Sequence, residues 1–242
     1  MTKPMFLDDA YLRDGEALVV GHTPEGGVIL DQSIFYATGG GQPGDSGMMM
    51  WNGNHLPIAT CVKVKGREDV QLALVPAEPA QLPPVGTQVS LSLDWERRHS
   101  HMRVHTALHL LSVVISLPVS GGSISVGKGR LDFDMPEAPE DKDALEASLN
   151  GLIELDCVVS EGWISEEELR ANPTLVKTMS VQPPMGSGRV RLVRIGDDTR
   201  QIDLQPCGGT HVARTSEIGR VRLGKVEKKG KLNRRVYLHL DD

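Results

Sequence analysis

Short apolar runs separated by turn residues dominate the chain up to about residue 93. Runs of this length, bounded by glycine, proline and aspartate, are typical of β-strands. The predicted strands are Ala17–Val20, Val28–Leu30, Ile58–Val64, Val70–Val75 and Val89–Leu93. A series of short strands with little helical pattern between them favours a small β-barrel.

The pattern changes after a proline-rich stretch that ends at Gly86. A helix is predicted from Asp94 to about Ser116, and its second half is apolar on nearly every side, which predicts burial. We therefore divide the chain into a β-barrel domain at 1–94, which carries a glycine-rich motif, and a second domain at 95–242.

Helical and extended patterns both occur in the second domain. A helix is predicted over 140–153, and Ser165 with Glu168 resembles the capping box of a shorter helix. The predicted strands are Val190–Ile195, Arg200–Leu204, Gly219–Val226 and Arg235–Leu240. The predicted fold class is α+β, with these helices packed on an antiparallel sheet.

Composition restricts the possible functions. The 242 residues include 26 basic and 32 acidic side chains, for a formal net charge of −6, which excludes a protein coated in positive charge. Acidic residues concentrate between 132 and 170 and basic residues between 214 and 235, so only the basic end is suited to a polyanion. The three cysteines form no CxxC pair, and the chain starts without an apolar leader, so we expect a cytoplasmic protein.

Two histidines four residues apart, His105 and His109, lie in the predicted buried helix. This spacing places both imidazoles on one helix face, where they can reach the same metal ion. No glutamate lies between them, which excludes the HExxH site of a metallopeptidase. Taken alone, such a pair is more often a hydrogen-bonded pair than a metal site.

A second pair, Cys207 and His211, bounds the sequence Cys-Gly-Gly-Thr-His. The two glycines allow the loop to fold back, so that a thiolate and an imidazole converge on one ion. The simpler interpretation is a glycine turn beside an incidental buried cysteine. Together, however, the two pairs supply the ligand types that zinc prefers, and they predict one zinc ion.

A glycine-rich segment, Gly39 to Gly47, carries polar side chains at Gln42 and Asp45. Consecutive glycines allow a ligand to approach the backbone closely. The segment is not a phosphate loop, because no Gly-Lys-Ser/Thr follows. A cluster of β-turns is the simpler alternative.

These three motifs, in this order and across essentially the whole chain, resemble those of the editing domain of alanyl-tRNA synthetase and its free-standing, AlaX-type trans-editing relatives. The resemblance implies a β-barrel followed by the editing module shared by threonyl- and alanyl-tRNA synthetases. It also implies a glycine-rich loop beside the substrate amino acid and, with no aminoacylation domain in 242 residues, a protein that edits but does not charge tRNA. The implied zinc ligands are His105, His109, Cys207 and His211, and the implied substrate contacts in the loop are Gly40, Gly41, Gln42 and Asp45.

The sequence departs from the family after the HxxxH helix. Many relatives have a glutamine there, whereas this chain reads Ser120 to Gly127 without one. The residue that holds the substrate's hydroxyl group is therefore open, with Thr106, Ser123 and Ser125 as candidates.

The implied activity is hydrolysis of mischarged tRNA(Ala), chiefly Ser-tRNA(Ala). A pocket built for alanine cannot readily exclude serine, whereas a second pocket that hydrogen-bonds the serine hydroxyl spares alanine. A zinc-bound water is the expected nucleophile, and no catalytic side chain is assigned. Since four protein ligands are usual for a closed structural zinc, either His211 or Cys207 is displaced, or zinc mainly positions the substrate.

Two other functions stay open: a non-catalytic RNA-binding module with a structural zinc, and a small-molecule metallo-esterase. The basic end of the chain favours a tRNA partner, because cations neutralise phosphates as an acceptor end approaches. The predicted tRNA-binding cations lie on a hairpin close behind His211 in sequence: Lys225, Lys228, Lys229, Lys231, Arg234 and Arg235.

Overall fold

A computed structural model describes residues 1–64, 71–176 and 188–241. It divides the chain into two compact units, Met1–His99 and Ser100–Asp242. Val70, the first residue of one predicted strand, lies outside the described residues. The fold is mixed α and β with an N-terminal barrel, as predicted. Among the described residues, no helix has the length and apolarity needed to cross a membrane.

Six strands of the first unit form a closed barrel. Its strands are β2 (Asp14–His22), β3 (Val28–Leu30), β5 (Gly47–Trp51), β6 (Asn54–Lys63), β7 (Leu72–Pro76) and β8 (Gln88–Leu93), in the order β2-β3-β7-β6-β5-β8. Two shorter strands, β1 (Lys3–Pro4) and β4 (Gln32–Ser33), pair in parallel. In β8 the residues Val89, Leu91 and Leu93 alternate with polar neighbours and are buried, so the period of two seen in the sequence builds the barrel core.

The glycine-rich segment begins with a tight turn. Gly39 and Gln42 exchange two backbone hydrogen bonds, with N–O distances of 3.1 and 2.9 Å. The two residues between them, Gly40 and Gly41, have φ of 56° and 84°. Positive φ at both central positions is strained for residues with a side chain, so the turn requires this glycine pair.

Asp45, in the same segment, pairs with a fully buried arginine of the first unit. Its Oδ2 atom lies 2.9 Å from Nε and 2.5 Å from Nη2 of Arg98, and it also accepts the backbone N–H of Tyr36 at 2.6 Å. Arg98 is fully buried and donates to the carbonyl oxygens of Ala10 and Ile34. This ion pair therefore joins the glycine-rich segment to the first turns of the helix that contains Arg98.

The described residues of the second unit form two antiparallel sheets, whereas the sequence predicted one. The first contains β9 (Val119–Ser125), β10 (Lys128–Asp134), β14 (Val221–Lys228) and β15 (Asn233–Leu240), in the order β14-β15-β10-β9. The second contains β11 (Val159–Ser165), β12 (Arg189–Gly196) and β13 (Gln201–Pro206) in sequence order. The helices are α1 (Trp95–Val114), which begins in the first unit, α2 (Lys142–Glu154) and α3 (Glu166–Ala171). The capping box of Ser165 and Glu168 is present at the start of α3.

Helix α1 is buried between elements of both sheets. A Cβ atom at Gly129 of β10 would lie 2.6 Å from Val104 and 3.0 Å from Leu108, so only glycine allows this strand to approach the helix so closely. On the neighbouring face, His109 contacts Asp203 of β13. Burial on two sides explains why the second half of α1 is apolar nearly all round.

We expect Asp45→Ala to destabilise the protein by about 3–5 kcal/mol, because the substitution leaves the Arg98 charge buried without its counter-ion. Equilibrium urea unfolding measures the change. The matched control is Asp8→Asn, which removes a carboxylate that pairs with Lys3 at 3.2 Å while both side chains are 61% exposed. That substitution should cost under about 1 kcal/mol, and equal effects of the two variants would contradict the prediction.

Candidate metal centre

The four residues predicted to bind metal lie together in the second unit. The ligand atoms of His105, His109, Cys207 and His211 are all within 4.8 Å of one another. The Cys207 Sγ atom lies 3.5 Å from Nε2 of His105 and 3.3 Å from Nε2 of His211. Helix α1 supplies His105 and His109, and the loop after β13 supplies Cys207 and His211.

A buried arginine shapes the loop that contains Cys207. Arg191 of β12 donates from Nη1 to the carbonyl oxygens of Cys207 and Gly209, each at 2.9 Å, and its guanidinium also pairs with Glu161. The loop's own backbone adds a contact, since the N–H of Gly209 points at the Cys207 sulfur at 3.4 Å. These bonds hold the loop in the folded-back form that brings Cys207 beside His211.

A carboxylate orients His109. Its Nδ1 lies 3.0 Å from Oδ2 of Asp203, and the same oxygen accepts a hydrogen bond of 2.7 Å from the Gln205 amide. Asp203 is buried. A carboxylate on Nδ1 holds the proton there and leaves the Nε2 lone pair for a metal ion, as in carboxylate–histidine–zinc arrangements.

A hydroxyl group orients His211 in the same way. The Thr106 Oγ1 atom lies 2.9 Å from the carbonyl oxygen of Met102 and can donate only to one partner, while His211 Nδ1 lies 3.1 Å away. If Thr106 donates its proton to Met102, its oxygen accepts a hydrogen bond from Nδ1–H of His211. The lone pair on Nε2 of His211 is then available to a metal ion. The backbone N–H of Val212 also points at this oxygen.

The cluster polarises its own thiol. Burial by itself opposes a thiolate, but the imidazoles of His105 and His211 lower the pKa of Cys207 well below its usual value. Burial, together with the charge of His105, lowers the pKa of His211 to about 3. Burial also disfavours the charged form of His109, yet the hydrogen bond to Asp203 outweighs it and raises the pKa of His109 to about 9. The Cys207 thiolate and the neutral His211 imidazole are in the protonation state that a metal ion requires, whereas His109 must release its second proton when a metal ion binds.

The spacing of the donor atoms fits zinc. Tetrahedral bonds of 2.0–2.1 Å to nitrogen and 2.3 Å to sulfur place the sulfur about 3.5–3.6 Å from each nitrogen. The Cys207–His105 distance of 3.5 Å agrees with this value, and the Cys207–His211 distance of 3.3 Å is slightly shorter. The group of three histidines and one cysteine can therefore hold a metal ion, and its donors are those zinc prefers.

Of the residues predicted to contact substrate, Thr106 lies beside His211 of the cluster, and the glycine-rich ones belong to the first unit. Gln42 and Asp45 are buried in the first unit, where Asp45 holds Arg98. Ile124 of β9 pairs with Gly129, which faces Val104 of α1, so Ile124 is on the side of the sheet that packs against the helix. Ser123 and Ser125 are its neighbours in the strand and therefore project from the opposite face. Their contact with a substrate stays a prediction.

The basic hairpin is partly neutralised. Arg235 pairs with Asp132 at 2.7 Å, and Glu227 lies 2.6 Å from Lys225 and 3.9 Å from Lys229. Arg234 donates to the carbonyl oxygens of Pro136, Gly230 and Asn233. Lys228 and Lys231 are exposed, and in the described part of the chain neither has an ion pair.

Asp203, Gln205 and Arg191 support the cluster, yet the sequence pattern did not single them out. In β13 the buried residues are Asp203 and Gln205, while Ile202 and Leu204 are half-buried. An alternating pattern with its apolar side facing inward would instead have buried Ile202 and Leu204 and exposed Asp203 and Gln205. For Asp203 and Gln205 the only available signal was their position just before Cys207.

Two family models match the chain. The model described as "Threonyl and Alanyl tRNA synthetase second additional domain" matches residues 190–237, which include Cys207 and His211. The model described as "tRNA synthetases class II (A)" matches residues 11–97, which include most of the barrel. The fold and the cluster therefore define a protein of the synthetase editing-domain class.

Relatives that match over the whole chain narrow this class. The "Alanyl-tRNA editing protein AlaX-M" of Methanosarcina acetivorans is 34% identical over 100% of both chains. The AlaX-L protein of Pyrococcus horikoshii is 32% identical over 96% of this chain and 56% of its own. An alanine–tRNA ligase of Pyrobaculum arsenaticum is 32% identical over 94% of this chain and 25% of its own. The chain belongs to the family of AlaX-type alanyl-tRNA editing proteins, which confirms the resemblance inferred from its motifs.

We expect Asp203→Asn to weaken zinc binding about 10- to 100-fold, because the amide no longer holds the proton on Nδ1 of His109. Competition with a chromophoric chelator measures the affinity. Asp198→Asn is the control, since Asp198 pairs with Arg194 at the surface and is 93% exposed. Equal zinc affinities for the two variants would show that Asp203 does not support the metal centre.

Proposed function

We propose that this protein is a trans-editing hydrolase that deacylates mischarged tRNA(Ala), chiefly Ser-tRNA(Ala), at a zinc ion held by His105, His109, Cys207 and His211. The observation that carries the proposal is the convergence of these four side chains in a chain whose full-length relatives are named alanyl-tRNA editing proteins. In this proposal residues 95–242 form the editing domain and 1–94 the barrel domain. The activity belongs in the cytoplasm, where tRNA is charged.

The chemistry required is hydrolysis of an ester between an amino acid and a ribose. A bound zinc ion supplies a Lewis acid that polarises the carbonyl group or acidifies a water molecule. The protein's own groups prepare the site for it: Asp203 and Thr106 orient two imidazoles, and Arg191 holds the loop. A shell of this kind is needed for a site that must keep its geometry through turnover.

Discrimination against alanine requires polar groups that pair with the serine hydroxyl. When such groups are buried, a bound alanine leaves them without hydrogen-bond partners. The free-energy cost of these unpaired groups is larger than the binding free energy that one methyl group adds in an apolar pocket. The glycine-rich residues 40–45, Thr106, Ser123 and Ser125 are the proposed sources of these contacts. The hydroxyl of Thr106 already contacts Met102, His211 and Val212, so a role for it requires one of those contacts to open.

A second function is favoured by the completeness of the donor set. Four protein ligands, with three histidines buried and Cys207 half-buried, also suit a closed structural zinc. A non-catalytic RNA-binding module would have the same centre. Turnover on charged tRNA separates the two functions.

We expect Ser-tRNA(Ala) to be deacylated at least about 100-fold faster than Ala-tRNA(Ala), as for a site that hydrogen-bonds a substrate hydroxyl. Release of radiolabelled amino acid measures both rates, with Gly-tRNA(Ala) as a third substrate. The double variant His105→Ala, Cys207→Ala should lose both bound zinc and activity. Binding of tRNA without turnover would favour the structural-zinc module, and equal rates on serine and alanine esters would overturn the editing proposal.

We expect Lys228→Glu with Lys231→Glu to raise the KM for charged tRNA and to flatten its dependence on salt, with zinc content unchanged. Removing one cation that binds a phosphate lowers the slope of log affinity against log salt by about one unit. Titration of the rate at several salt concentrations gives the slope. Arg170→Glu on α3, an exposed cation elsewhere, is the control. If KM and slope stay at the wild-type values, the tRNA does not bind this hairpin.

A further inference from the structure

An exposed tryptophan lies on the sheet whose strand β13 leads into the loop of Cys207 and His211. Trp163 is on β11, the edge strand of the three-stranded sheet, and it is 48% exposed. The guanidinium of Arg189 lies over its ring, 5.4 Å from the ring centre. Tryptophan side chains are enriched where proteins contact partners, because the ring offers a large apolar surface.

The register of the sheet shows which face Trp163 occupies. Trp163 is directly opposite Arg191, and Glu161 is opposite Val193, which is in turn opposite Gln205. Residues directly opposite in antiparallel strands project to the same face. Gln205 bonds to Asp203, and Asp203 contacts His109. Trp163 therefore projects from the sheet face that supports the metal cluster.

The same register gives the distance between the backbones of Trp163 and Cys207. Arg191 lies between Trp163, its partner on one side, and Cys207, whose N–H binds the Arg191 carbonyl oxygen on the other side. Neighbouring strands are about 4.8 Å apart, so the backbones of Trp163 and Cys207 are about 10 Å apart. This separation is comparable with the length of one nucleoside and its ester.

Trp163 lies within the acidic stretch of 132–170, but the charges on its own sheet face are paired locally. The carboxylate of Glu161 is neutralised by Arg191, so it does not present a free negative charge. Arg189 adds a cation beside the ring. Aromatic rings on which bases stack, flanked by arginine, are the usual means by which proteins hold single-stranded nucleic acid ends.

We propose that Trp163, with Arg189, stacks against the 3′-terminal base of the charged tRNA and so places the adjoining ester at the metal cluster. This inference rests on the proposed function and names a substrate contact within it. Stacking on the base is the same before and during hydrolysis of the ester, so it contributes to substrate binding and not to the chemical step.

The test compares Trp163→Ala and Trp163→Phe in the full-length, zinc-loaded protein. We expect Trp163→Ala to raise the KM for Ser-tRNA(Ala) about tenfold with kcat unchanged, as for removal of one stacked base. Trp163→Phe should restore most of the affinity because it keeps a ring. Leu117→Ala, which removes another exposed apolar side chain at 39% exposure, is the control and should leave KM unchanged.

A direct binding measurement separates this inference from the proposed function. The RNA trinucleotide CCA, used alone, should quench tryptophan fluorescence of the wild type but not of Trp163→Phe, which keeps Trp51 and Trp95 and removes only the ring of the proposed stacking site. If the wild type hydrolyses no charged tRNA but shows this quenching, the proposed function fails and the stacking site stands. An unchanged KM in Trp163→Ala, or quenching that persists in Trp163→Phe, would overturn the stacking site. If KM is unchanged and light scattering shows a smaller assembly for Trp163→Ala, the edge strand is a protein interface instead.

Discussion

Burial of helix α1 is the constraint on which the rest of the second unit depends. The helix contacts β10 of one sheet through Val104 and Leu108 and β13 of the other sheet through His109. Imidazoles in such a place cannot be solvated, so each must find a hydrogen-bond partner or a metal ion. The structure satisfies this requirement with Asp203 on one side and with the cluster of donor atoms on the other.

The loop after β13 also buries polar groups that need partners. Its sulfur is held by neighbouring imidazoles, which keep the pKa of Cys207 low despite burial. Its backbone is held by Arg191, a buried cation whose charge is balanced by Glu161. The polar groups of this loop are thus matched by others, and the matched set is also the scaffold of the candidate metal centre.

Charge is distributed by the same local pairing elsewhere in the protein. Arg98 and Asp45 neutralise each other within the first unit, and Asp132 neutralises Arg235 on the hairpin. The net charge of −6 therefore says little about which cations can meet a phosphate. On the hairpin, Lys228 and Lys231 are the lysines with no ion pair in the part of the chain that the structure describes.

Motif spacing and local periodicity were enough to predict the barrel, the long buried helix, the capped short helix and the family. These features depend on residues close in sequence, such as the alternation in β8 or the box at Ser165. Strands rich in glycine or methionine, β9 and β5 among them, carried too weak a local signal to be predicted. Only the tertiary structure could place Asp203 behind His109 or Trp163 beside Arg191, because strand register is set by contacts between distant segments and not by either segment alone.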